Sequence, residues 1–146
     1  MKALSLLALI AMAVLAGAQS MDKGGARPLA QVKFAQDDDV KCLASALENG
    51  DPGKGASALI LKAPPNCVVP WHYHTAEEQL VVTQGTVLTE MQGMSARALG
   101  PGGFAMMPGK AKHQFSCQSK SPCILFVMFD RTYDIFWVKD VKASVK

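Results

Sequence analysis

From Ser57 onward the chain runs in short apolar or alternating stretches of four to eight residues, nearly all closed by turn-forming residues. They are Ser57 to Lys62, Cys67 to His74, Gln79 to Gln84, Thr86 to Met91, Ala96 to Leu99, Gly103 to Met107, His113 to Cys117, Cys123 to Phe129 and Ile135 to Val138. Gly85, Gly93, Pro101-Gly102-Gly103, Pro108-Gly109 and Ser121-Pro122 break the chain between them. Such lengths suit strands, not helices, and the close-set breakers predict an antiparallel sandwich or small barrel. Lys41 to Asn49, which ends at Gly50-Asp51-Pro52-Gly53, reads as a strand or one helical turn.

The 146 residues suit one domain, and with 49% hydrophobic and 18% charged residues the composition supplies a core. It fits neither a disordered tail nor a charged nucleic-acid arm. Met1-Lys2 is followed by an unbroken apolar run from Ala3 to Leu15 and then Ala16-Gly17-Ala18, a small-x-small cleavage pattern. The run is too short for a spanning helix, so residues 1–18 are expected to be a signal peptide and the mature protein secreted or periplasmic. Residues 19–40, mixed in Gly, Pro, Lys and Asp, are expected to form a solvated leader, and 41–146 the folded domain. The formal charge of +3 suggests no nucleic-acid partner, and no later segment is long and apolar enough for a membrane.

All four cysteines, Cys42, Cys67, Cys117 and Cys123, lie beyond the cleavage pattern and would enter an oxidising compartment. Four thiols allow three pairings. Cys117 and Cys123 flank the polar loop 118–122, and a hairpin there would bring them within disulfide range. Cys42 with Cys67 would follow by elimination; buried free thiols are the alternative. The run Cys123 to Phe129 is apolar on both strand faces. Its outer face needs a cover, either Ile135 to Val138 or a second copy in a homodimer.

Only three histidines occur, two of them as His72-Tyr73-His74. A period of two puts both imidazoles on one strand face, their α-carbons about 6.5 Å apart, close enough to share one ion. Glu78 opens the next run and can add a carboxylate oxygen, while His113 begins a strand after a Pro-Gly turn. Together these four residues form a candidate site of three nitrogens and one oxygen. The alternative is histidines that only hydrogen-bond or stack at a barrel rim. By strand parity Leu80 and Val82 share the face of Glu78, and Phe115 that of His113, which predicts an apolar cavity around the site. Phe104 with Met106, or Ala105 with Met107, joins them, depending on parity after Gly102-Gly103.

These residues resemble the cupins. The first cupin motif reads here His72-x-His74-x3-Glu78-x6-Gly85, and the second Gly103-x4-Pro108-x4-His113. Gly109 stands one place before the usual second glycine, and the usual trailing asparagine is missing. The likeness spans roughly 50–138. It implies an all-β, single-domain double-stranded β-helix (jelly-roll barrel), often dimeric, with metal ligands at His72, His74, Glu78 and His113. The stretch Pro70 to Glu78 looks like the ChrR-like subgroup, which includes zinc-binding sensor domains and metal-dependent dioxygenases.

The donor set suits one divalent transition metal ion and does not choose among Zn, Fe, Mn, Ni and Cu. Four protein ligands leave room for water, oxygen or a chelating substrate. The expected function is therefore a metal-dependent oxidoreductase, dioxygenase-like, acting on a small organic molecule. The alternatives are a non-catalytic small-molecule binder or sensor and a closed structural zinc site. Lys110, Lys112 and the pair Asp130-Arg131 read as surface charges.

Overall fold

The computed structural model describes residues 24–139 and 141. The expected signal peptide, residues 1–18, lies outside the described residues. The strands are β1 (Ala35–Gln36), β2 (Ala44–Gly50), β3 (Ser57–Ala63), β4 (Val68–Tyr73), β5 (Glu78–Gln84) and β6 (Val87–Met91), followed by β7 (Arg97–Leu99), β8 (Phe104–Met107), β9 (His113–Cys117), β10 (Cys123–Phe129) and β11 (Phe136–Trp137). Lys41 to Asn49 resolves as a strand, because β2 pairs with β3 from Ala44↔Lys62 onward.

Two antiparallel sheets result, ordered β1-β2-β3-β10-β5-β8 and β11-β4-β9-β6-β7. This is the jelly-roll sandwich that the resemblance implied. Alternation along the strands sends Leu80, Val82, Leu125, Val127, Val87 and Phe115 into the space between the sheets, where each is at most 4% exposed. Full burial of such side chains stabilises by about 1.5–3 kcal/mol each. Among the described residues no helix is long and apolar enough to cross a membrane.

Both expected cysteine pairs are bonded, Cys42–Cys67 with α-carbons 5.6 Å apart and Cys117–Cys123 with 5.7 Å. The hairpin expected between Cys117 and Cys123 does not form. Cys117 ends β9 in the five-stranded sheet and Cys123 begins β10 in the six-stranded one, so the loop crosses between sheets. Cys42 and Cys67 likewise precede β2 and β4, on opposite sheets. Both bridges therefore staple the two layers. They also adjoin, since the Cys117 N–H donates to the Cys67 carbonyl at 2.9 Å.

Two other expectations differ. The stretch Ile135 to Val138 does not cover β10, because β11 pairs with β4 in the other sheet. Instead, Arg27, Leu29 and Val32 lie beside Ile124 and Phe126 on the outer face, while Met128, Phe104 and Met106 stay exposed. The described part of the expected leader, residues 24–40, is tied to the domain. Its β1 pairs with β2, Arg27 reaches Glu48 at 2.5 Å, and Val40 is 7% exposed. Hydrophobic Val40, and in part Val32, gave that segment surface to bury, which its small and polar neighbours concealed.

Candidate metal centre

The site lies where β4, β5 and β9 come together at one end of the sandwich. His72 and His74 follow the alternation of β4, both inward, while Tyr73 faces outward and stacks on Phe136 at 4.9 Å. The register of β4 on β9 shifts between Val69 and His72. Pro70 stands in that interval, where a missing N–H costs the ladder nothing, and its carbonyl accepts from His72 Nδ1 at 2.6 Å. Beyond the shift His72 pairs directly with His113, the first residue of β9.

Glu78 starts β5 opposite Met107 of β8 and Phe129 of β10. The turn leading to His113 packs against the turn after His74. A Cβ on Gly109 would sit 2.6 Å from the Thr75 carbonyl oxygen, and the Lys110 N–H donates to the His74 carbonyl at 2.7 Å. Lys110 occupies the place of the usual second glycine and adopts φ 69°. The one-residue displacement of Gly109 therefore leaves a lysine in a left-handed conformation that favours glycine.

The four residues singled out from the sequence are brought together, each at most 3% exposed. The imidazole centroids of His72 lie 4.9 Å from His74 and 4.2 Å from His113. One ligating atom from each of the four residues falls within 4.8 Å of the others. Donors sharing an ion at about 2.0–2.2 Å stand at most about 4.4 Å apart, so a few tenths of an ångström of closure suffices.

The tautomers suit the same purpose. His72, His74 and His113 each direct Nδ1 at a main-chain carbonyl, those of Pro70, Asp134 and Ala111. Carbonyls only accept, so Nδ1 carries a proton in each ring and Nε2 faces the site, the outer-sphere arrangement that orients metal-binding histidines. Nε2 of His74 and of His113 lie 3.2 and 3.1 Å from Glu78 Oε2. Burial alone would raise the Glu78 carboxyl, but hydrogen bonds from His113 and His74 outweigh it and hold the group at about 2. Burial, reinforced by the charge of His113, pushes His72 down to about 4. Burial opposes charge on His113, yet the bond to Glu78 wins and raises it. At neutral pH the site thus offers a carboxylate and a neutral His72.

A cavity of about 200 Å³ opens over His72, His74 and Glu78. Tyr133, Phe129 and Trp137 wall it, with ring centroids 5.1 Å and 5.0 Å from His74 and 5.5 Å from His72, respectively. Phe115 borders it, as strand parity predicted, whereas Leu80 lines the neighbouring depression beside His113 and Val82 lies in the core; Met107 and Ala105, not Phe104 and Met106, take the inward side of β8. His113 also borders a depression of about 250 Å³ lined by Met91, Leu99 and Met107. Tyr133 escaped the sequence reading because it sits in an irregular stretch with no periodicity. Asp130 and Arg131 pair with each other on the surface, as expected.

Residues 59–129 match the family described as Cupin domain. This stretch is similar to a cupin domain, and the fold is that of the cupins. Solved cupin structures share the architecture. KdgF from Halomonas sp. superposes with a TM-score of 0.61 at 19% identity, over 74% of this chain and 94% of its own. The DMSP lyase DddQ from Ruegeria pomeroyi DSS-3 gives 0.58 at 21% identity, over 69% of this chain. This chain spans 57% of that lyase's length. A recombinant oxalate oxidase in complex with glycolate gives 0.60 at 18% identity, over 72% of this chain and 59% of its own. At these identities the likeness speaks for the fold alone. A search of curated proteins found no match. The buried three-histidine, one-glutamate group can hold a metal ion.

Proposed function

We propose that the protein is a secreted metal-dependent oxidoreductase of the ChrR-like cupin type, dioxygenase-like, acting on a small organic molecule. The observation that carries the reading is the convergence of His72, His74, Glu78 and His113 at the floor of a partly apolar cavity. A divalent transition metal held there supplies Lewis-acid and redox chemistry. An ion that accepts five or six ligands keeps positions free for an incoming molecule, which a closed tetrahedral structural site does not.

The chain's own groups bind and orient. The rings of Phe129, Tyr133 and Trp137 exclude water and favour an apolar body. Burial, then the charges of Asp37, Glu78, Asp39 and Asp134, raise the Tyr133 phenol above its ordinary range. It therefore stays protonated and donates a hydrogen bond to a substrate oxygen. The existence of an oxalate oxidase among the structural neighbours supports redox chemistry on this scaffold; a DMSP lyase among them keeps a non-redox reaction as the second reading.

Export rests on the N-terminal pattern of residues 1–18 and is tested by N-terminal sequencing of protein recovered from the host's periplasm or medium. The exposed Phe104, Met106 and Met128 support a homodimer. The deciding experiment is metal analysis of protein purified without added metal, followed by oxygen uptake with a panel of diketones and phenols. A redox-active ion and uptake are expected. Zinc alone with no turnover would eliminate the oxidoreductase in favour of a binder or sensor.

A further inference from the structure

The cavity over the metal centre carries an unbalanced charge at its mouth. Asp37 and Asp39 line it, and among the described residues no lysine or arginine does. Both aspartates come from the turn between β1 and β2, across the opening from Trp137 of β11. The opening thus joins two carboxylates to the faces of Phe129, Tyr133 and Trp137 in a space of about 200 Å³. That is below the range of drug-sized pockets.

Carboxylates beside aromatic faces attract organic cations twice over, by Coulomb attraction and through the ring quadrupole. They repel small anions for the same reason. We propose that this cavity selects a small organic cation, a primary or quaternary ammonium compound, with Asp37 and Asp39 as the residues that set the charge preference. The inference deepens the reading of the site as one for a small organic substrate and rests on it. A metal ion at the floor adds positive charge at the far end, so the selected molecule places its cationic group at the rim and an uncharged or anionic oxygen inward.

The test measures binding by calorimetry and by tryptophan fluorescence, on chelator-treated and on metal-loaded protein. The probes are choline, its uncharged carbon analogue 3,3-dimethylbutan-1-ol, and the anion 3,3-dimethylbutanoate. Choline is expected to bind at least roughly fivefold more tightly than the neutral analogue, a ratio in keeping with a partly exposed cation site. Asp37→Asn, Asp39→Asn and the double variant should lower that ratio stepwise. Asp37 Oδ1 accepts the N–H groups of Asp39 and Val40 at 3.0 and 2.7 Å, and an asparagine oxygen keeps both bonds, so the variant folds. The idea is overturned if the neutral analogue or the anion binds as well as choline, if no probe binds, or if the double variant keeps the ratio. Because the preference is read on metal-free protein as well, its failure is separate from a failure to find a redox metal or oxygen uptake.

Discussion

Three side chains of the candidate site, His72, Glu78 and His113, link folding to pH in three adjacent windows. His72 is pushed from 6.5 down to about 4, so in metal-free protein the unfolded chain takes up a proton that the folded one refuses as pH falls through that window. Stability is lost there. Glu78, held at about 2 against an ordinary 4.5, contributes stability present above 4.5 and lost as pH falls towards 2. His113 is raised, so its contribution is full below 6.5 and disappears as pH rises through its folded value. Urea denaturation of chelator-treated protein should therefore show greatest stability near pH 6.5. A proton held between His113 Nε2 and Glu78 must leave when an ion arrives, so metal uptake should release protons, measurable by calorimetry in buffers of different ionisation enthalpy. His74→Ala should abolish tight metal binding, read by metal analysis after dialysis, while circular dichroism stays that of a folded barrel. Lys110→Gly should stabilise by roughly 0.5–1 kcal/mol, because it relieves the positive φ at the cost of a freer unfolded chain.

Each strand carries one piece of the site, and turns and bridges bring the pieces into register. Gly85, the glycine of the first motif, shows how tightly: at φ +82°, a Cβ there would lie 2.6 Å from Ser119 Oγ and 2.9 Å from Cys123 Sγ. The two disulfides join opposite sheets next to one another, closing loops with sequence separations of 25 and 6. Replacing Cys42 and Cys67 together by serine should cost about 3–4 kcal/mol, and replacing Cys117 and Cys123 about 2 kcal/mol, in the chain-entropy account. Denaturant titrations of the two double variants would check the order. Most strands were legible from periodicity and breakers: β9 and β10 begin and end at the residues expected. The partners of those strands were not legible. The loop 118–122 has the length and polarity of a hairpin, yet it arches between layers, because local turn chemistry sets where a chain reverses and not which sheet it rejoins.

As a whole, the molecule is a sandwich with a buried cluster that can hold a metal ion at one end and an exposed apolar strip on the outside of its larger sheet. Phe104, Met106 and Met128 stand in that strip, 56%, 42% and 41% exposed. Light scattering during size exclusion is expected to report a dimer, and Met128→Lys to shift it towards monomer. Alternation of side chains and the position of turns are local properties, written residue by residue, so the chain alone determined that strands form, which faces are apolar, and that His72 and His74 share a side. The pairing of His72 with His113, the layer to which each strand belongs, and the closing of the cavity by Asp37, Tyr133 and Trp137 depend on contacts between residues far apart in order. Packing of the two sheets decides those contacts, since only there does burying the apolar faces select one strand order among the many that the same alternation permits.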